Sequence, residues 1–459
     1  MVTPILKKTG LDCNVLGNFR PVSNLPFLSK VLEKIVLKQL QQHLCDNGLM
    51  DMYQSAYRKD HSTETAVLSV LDSLQMTSDE RCISVLALLD LSAAFDTLDH
   101  SILLRRLEIS FGLHGTVLLW FKSYVEGRFQ CVSIDGVASS PCPLVYGVPQ
   151  GSVLGPVLFT LYSQPLSGVI SSHGCQYHKY ADDTELSKSA PPDDFPSAIS
   201  SVQECVSHVL AWMDSNKLKL NTDKTEVMSV SSRSSLGLVG GSSINLCGAD
   251  IPFQKSVKYL GVKIDQTLSM HDQISSVCRA CFFDLRRISS IRSYLSKDAA
   301  MKLISATILS RLDYCNSTLI GVSEGQLERL QRVQNSAARL VLRKKKRDHV
   351  TPMLKELHWL PVKARYKYKI AVLAYRHFDG SLAPYLSATL CTRRPSRTLR
   401  SSNENRLVVP RRNLRSAGER TFSFAAPVFW NSLPASLRQL SSLNQFKCQL
   451  KAHLFQQYL

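Results

Sequence analysis

The chain has 459 residues, 44% of them hydrophobic and 20% charged, enough to bury a core and unlike a disordered composition; at about 100–200 residues per domain, two to four domains are expected. Its net charge of +18 is lopsided: residues 271–459 carry 33 basic and 11 acidic side chains, a net +22, leaving −4 on the first 270, a split that fits a polyanionic partner, nucleic acid foremost, better than solubility alone. No window approaches the ~20 apolar residues that span a bilayer, Met1-Val-Thr-Pro-Ile-Leu-Lys-Lys8 has no signal-peptide core, and thirteen cysteines without framework spacing suit an intracellular, cytoplasmic or nuclear protein.

Leu28, Leu32, Ile35, Val36 and Leu40 recur at helical spacing with Lys30, Lys34 and Lys38 between them, and Asn47-Gly48 ends that helix. Thr63 to Leu74 reads as a second helix, with Ser62 as N-cap and Thr65 three positions on. The apolar run Ile83–Leu89 suits a buried strand closing on Asp90. A helix is expected over 101–127, then a hairpin turning at Asp135-Gly136. Gly147 to Tyr162 is a Gly/Pro loop entering a helix. Tyr177 to Leu186 forms two strands joined through Ala181-Asp182-Asp183, and a long helix covers 199–216. Strand 226–230 precedes a Gly/Ser-rich insertion at 231–243. A bent strand pair follows around Gly261, and 269–342 is helical in pattern. Cys278-x-x-Cys281 falls in that helical register and reads as two buried thiols, ahead of zinc. The mixture indicates an α/β or α+β protein.

Asp90, Asp182 and Asp183 stand where buried strands meet turns. An ionised Asp there is costly unless compensated, and a divalent cation compensates it well, whereas a lone Asp pair would be ordinary turn chemistry. Asp90-Leu-Ser-Ala-Ala-Phe-Asp96, Gly147-Val-Pro-Gln-Gly-Ser-Val-Leu-Gly-Pro156 and Tyr180-Ala-Asp-Asp183 resemble motifs A, B and C of a reverse transcriptase of the non-LTR (LINE-type) retrotransposon class. Asn18-Phe-Arg-Pro-Val-Ser-Asn-Leu-Pro and Gln54-Ser-Ala-Tyr-Arg-Lys-Asp-His-Ser-Thr63 resemble its two fingers motifs, Leu220-Asn-Thr-Asp-Lys-Thr225 motif D, and Tyr259-Leu-Gly261 the primer grip. A single Tyr-x-Asp-Asp would be weak; seven motifs in order are specific.

The resemblance implies an α+β right-hand polymerase fold: fingers over 1–82, a palm with a small antiparallel sheet over 83–267, a helical thumb over 268–350 and a basic C-terminal region over 351–459. It implies RNA-directed DNA polymerase activity, with an RNA template, a DNA primer and dNTPs as partners and no membrane. Asp90, Asp182 and Asp183 would hold two Mg²⁺ ions, with Mn²⁺ as a substitute. Phe95 would be the steric gate against ribonucleotides, or a core residue behind its strand. Arg58 and Lys59, assisted by Arg20, would clamp the triphosphate, or be a solvated pair. Gln150 and Gly151 would line the nucleotide and template pocket, Lys224 would be a general acid toward pyrophosphate, and Tyr259, Leu260 and Gly261 would support the primer end. Arg343–Arg347 would contact phosphates or serve as a nuclear localisation signal.

Three features depart from the family's pattern. The chain starts just before the first fingers motif, so it is expected to lack the upstream endonuclease domain of complete elements. Lys188 breaks the alternation of the strand after the catalytic turn. Lys179 stands where a small or apolar residue is commoner; it either pairs with a nearby carboxylate or costs palm stability. The competing expectation is an inactive remnant that only binds nucleic acid. Trp359, Phe424, Phe429 and Trp430 are expected core residues of the C-terminal region.

Overall fold

The computed structural model describes residues 1–92, 95–232, 235, 243–246, 248–393 and 405–459; most of the expected Gly/Ser-rich insertion lies outside them. The middle of the chain is organised by a four-stranded antiparallel sheet in the order Glu226–Val230, Ile83–Leu89, Asp183–Ala190, Gln176–Tyr180. Ile83–Leu89 lies inside, with Leu86 opposite both Ser187 and Met228. Side-chain alternation divides this strand between two cores. Ile83, Val85, Ala87 and Leu89 join Leu186, Val227 and the helix Phe195–Ser215. Leu86 joins Met228, Val230 and the helix Thr63–Asp79. A strand covered on both faces has no polar side to show, which is why the sequence reads as an unbroken apolar run. Ser62 caps the 63–79 helix, accepting from Thr65 N while Thr65 Oγ1 accepts from Ser62 N.

The expected first helix runs Phe27–Asp46, but with another face inward. Leu28, Leu32 and Ile35 are exposed, whereas Glu33, Leu40 and Leu44 are buried. The Glu33 carboxylate accepts hydrogen bonds from Tyr124 Oη (3.1 Å), Val153 N (2.7 Å) and Leu154 N (3.0 Å), so its burial is compensated. It thereby satisfies backbone donors at the start of helix Gly155–Tyr162. The helix expected over 101–127 is two, His100–Ile109 and Gly115–Val125, because Gly112 and Gly115 take φ of +65° and +60° between them. The hairpin Ser133–Ile134/Val137–Ala138 turns at Asp135-Gly136 as expected.

Beyond the sheet, helices His271–Ile291 and Glu324–Leu342 share the core behind Leu86 and Met228. Cys278 and Cys281 are buried there as free thiols. The C-terminal region builds its own core from helices Val362–Phe378, Phe422–Ser432 and Leu443–Tyr458, in which Tyr375 stacks on Phe446 and Phe378 on Trp430. Trp359 and Trp430 are buried as expected, while Phe429 is half-buried and Phe424 yields the deepest position to Phe422. This region docks on the 63–79 helix through buried carboxylates. Asp72 accepts from Ser423 N (3.0 Å), and Asp79 accepts from Asn413 N (3.0 Å) and Leu414 N. Among the described residues, no helix is long and apolar enough to cross a membrane.

Candidate active site

Asp90 follows the central strand, and Asp182 and Asp183 form the turn joining its two neighbours on one side. Register brings them to one end of the sheet, since Thr184 pairs with Leu89 and Asp183 with Tyr180. Burial, then the nearby Asp90 charge, raises the Asp182 pKa, against the opposing pull of Arg20 and Lys224. Asp183 is pushed up to about 6 by burial and by Asp182 and Asp90. Strand Lys219–Leu220 pairs with Leu91–Ser92, and Asn221 N donates to Asp90 O (2.8 Å). That folds the following turn back over the carboxylates, where Lys224 Nζ donates to Asp90 Oδ2 at 3.0 Å. Three hard oxygen donors, two of them with pKa values lifted by burial and then by one another's charge, fit a divalent cation.

The Ala181–Asp183 turn has a strained hinge. Ala181 adopts φ +60°, a conformation that costs a residue with a Cβ about 1 kcal/mol. Gln54, 2% exposed, holds it there: its Oε1 accepts from Ala181 N (3.1 Å) and Ala56 N (2.9 Å). Ser55 N donates to Lys179 O and Lys179 N to Tyr53 O, both at 2.9 Å, so residues 53–55 act as one more strand beside Gln176–Tyr180. Sequence reasoning placed Gln54 in a fingers motif and missed this contact across 127 residues; its only trace was a polar side chain opening that motif. Gln54→Ala strands two buried N–H groups, and we expect a loss of about 1–3 kcal/mol in stability. Extension turnover should fall about 10–100-fold with the dNTP KM little changed. Steady-state kinetics with a denaturant melt checks both, and an unchanged kcat would remove the positioning role.

Lys179 is fully buried and pairs with Asp51 Oδ2 at 2.8 Å, so the carboxylate expected as one alternative exists. Burial pulls Lys179 below the usual lysine range, opposed by Asp51. Burial alone would raise Asp51; the Lys179 ammonium outweighs it and holds Asp51 below the usual carboxylate range. Tyr177 Oη donates to Asp51 Oδ1 (3.0 Å) and Ser167 Oγ to the other oxygen. Lys188 is accommodated differently, its Nζ donating to Gly174 O (3.0 Å).

The loop before helix Gly155–Tyr162 is pressed onto residues 95–96. Val148 N donates to Phe95 O (2.9 Å), and Gln150 Nε2 donates to both Asp96 oxygens at 3.0 Å. Gly147 has φ +80°, and a Cβ there would stand 2.8 Å from Asp96 O, so only glycine permits this approach. Gly151 likewise sits close to Ser23 O. Phe95 is half-buried and packs against the core, its ring 5.0 Å from that of Phe159.

Other expected residues are placed differently. The Arg58 guanidinium donates to Asp51 O and Gln54 O, bracing its own loop, while Lys59 is exposed. Tyr259 is buried, its hydroxyl among core residues, because alternation on its strand turns it inward. What the hairpin Ser256–Tyr259/Val262–Asp265 presents is the backbone of Leu260 and Gly261, where Tyr314 Oη donates to Leu260 O (2.7 Å).

The model of the family described as reverse transcriptase (RNA-dependent DNA polymerase) matches residues 5–264, and the chain belongs to this family. The RNA-directed DNA polymerase from mobile element jockey of Drosophila melanogaster is 29% identical over 291 residues, 62% of this chain and 31% of its own length. The probable RNA-directed DNA polymerase from transposon BS of the same fly is 26% identical over 335 residues, 71% and 36% of the two lengths. This chain spans about a third of the length of these curated relatives. The telomerase of Candida tropicalis aligns over 94% of this chain and 56% of its own at 12% identity, with a TM-score of 0.38, too low to carry an argument. The LINE-type resemblance and the right-hand polymerase fold are thus borne out, and the family uses divalent metal ions.

Proposed function

We propose that this chain is an RNA-directed DNA polymerase that extends a primer 3′-OH with dNTPs on an RNA template. The observation that carries this reading is the convergence of Asp90, Asp182 and Asp183 at one end of the antiparallel sheet under Lys224. Asp90, Asp182 and Asp183 would hold two Mg²⁺ ions, or Mn²⁺ in their place, which supply activation of the 3′-hydroxyl and charge stabilisation of the leaving pyrophosphate. Lys224, exposed beyond its bond to Asp90, offers a proton to pyrophosphate once the carboxylates are otherwise neutralised. Arg20, within electrostatic reach of Asp182, and Lys59 bind the triphosphate, with Arg58 bracing the loop that carries Lys59. Gln150, Gly151 and Phe95 shape the nucleotide pocket, Phe95 as the gate, and Leu260–Gly261 backbone, with Tyr259 behind it, supports the primer end.

On this reading, fingers, palm, thumb and basic region follow 1–82, 83–267, 268–350 and 351–459, and the +22 beyond residue 270 grips phosphates without reading sequence, in cytoplasm or nucleus. The paired Lys179 favours a working polymerase over a decayed remnant, because the departure from pattern is compensated. Primer extension on poly(rA)/oligo(dT) with Mg²⁺ is the test. Folded wild-type chain that added no dT would sink the proposal, and Phe95→Ala that still refused ribonucleotides would remove the gate.

A further inference from the structure

A second cluster of ligating side chains lies at the far end of the hairpin from the catalytic turn. His173 caps the helix Leu166–Ser172 just before strand Gln176–Tyr180, and Glu204 and His208 stand four residues apart on helix Phe195–Ser215. An i, i+4 pair shares one helix face, and here that face meets His173: the two imidazoles stack with centroids 4.7 Å apart. One donor atom from each of the three residues lies within 4.8 Å of the other two. His208 Nδ1 is 3.1 Å from Glu204 O; a carbonyl only accepts, so Nδ1 carries the proton and Nε2 keeps its lone pair. Metal-ligating histidines are oriented by just this bond.

We propose that His173, Glu204 and His208 form a zinc-class metal site, separate from the catalytic carboxylates, that staples the root of the catalytic hairpin to helix Phe195–Ser215. Two imidazole nitrogens and one carboxylate select a borderline transition ion over Mg²⁺, and leave a fourth position for water. Tetrahedral zinc asks for donor atoms roughly 3.3 Å apart, at metal–nitrogen distances of about 2.0–2.1 Å. Glu204 and His208 are exposed and His173 is partly exposed, so their side chains have room to turn toward that spacing. Lys188 Nζ, a positive charge beside the cluster at 3.5 Å from His173 O, is already engaged by Gly174 O at 3.0 Å. Cys175 and Cys205 lie buried below the cluster and are not among its close donors.

The experiment uses the full chain stripped with chelator and titrated with ZnCl₂ in excess Mg²⁺, with bound metal counted after desalting. One equivalent of zinc should bind wild type and Asp182→Asn alike, and be lost in His173→Ala/His208→Ala. Zinc should also raise the melting temperature of wild type by roughly 2–4 °C, and not that of the double variant. The double variant, altered at the surface, should keep its circular dichroism. Wild type that binds no zinc, or zinc retained by the double variant or lost in Asp182→Asn, overturns the site. A cobalt-loaded chain showing a thiolate charge-transfer band would overturn the donor set, placing Cys175 and Cys205 on the metal instead.

Discussion

Asp182→Asn should abolish primer extension, by at least ~10³-fold, and yet leave the metal-free chain more stable than wild type. The two results come from one arrangement. Three carboxylates gathered at a sheet end are held against their own repulsion, which Lys224 and Arg20 only partly relieve. Removing one charge removes repulsion as well as a proposed metal ligand. The pH dependence carries the same sign. The folded-state pKa of Asp183 is raised from 3.8 to about 6, so folding is helped below pH 3.8, where the group is protonated in both states. This help is lost as pH rises through about 6 and absent above it. Asp183→Asn should therefore melt higher than wild type at pH 8 in chelator, by about 1–2 kcal/mol, with the gap closing below pH 4. Urea melts across that range decide it; a less stable Asp183→Asn at pH 8 would mean that the repulsion is already neutralised in the folded chain.

Lys179→Met should cost about 3–5 kcal/mol, the largest stability loss expected of a single change in the sheet. It leaves the Asp51 carboxylate buried with hydroxyl donors from Ser167 and Tyr177 but no paired cation, Arg58 being in electrostatic reach only. Asp51→Leu alone strands the ammonium in the same way. Together, Lys179→Met/Asp51→Leu should recover most of the loss, since a buried ion pair and a well-packed apolar pair are of similar worth. A double-mutant cycle read by denaturant melts measures the coupling. A cycle coupling near zero would show that the two groups do not depend on each other.

The sheet was legible because its signals are local. A run apolar enough for burial on two faces defines Ile83–Leu89, and Ala181-Asp182 marks the turn between two strands. The three carboxylates followed from where those strands end. What stayed hidden depends on partners remote in sequence. Nothing near Glu33 announces that it will face inward to meet Val153 and Leu154, so the exposure of Leu28, Leu32 and Ile35 beside the buried Leu40 was not legible in helix Phe27–Asp46. Lys179 could be seen as odd, but its partner lies 128 positions earlier. Tyr259 was assigned by motif, whereas strand alternation decides its direction. The break at Gly112 and Gly115 was legible in principle, from two glycines in a helical pattern, and was overridden by the apolar residues around them.

The carboxylates of Asp72 and Asp79 set an order of events during synthesis. Their helix leaves the ribosome early, yet the backbone donors that satisfy them belong to residues 413–423, separated by 334 to 351 positions. At about 5–20 residues per second the helix waits roughly 20–70 s for those donors. Through that interval the outer side of the helix Thr63–Asp79 stands uncovered, and the nascent chain presents an unfinished surface to its surroundings. The C-terminal region is in this sense the closing piece over the helix Thr63–Asp79, and a chain interrupted before residue 413 would be left with that wait as its permanent state.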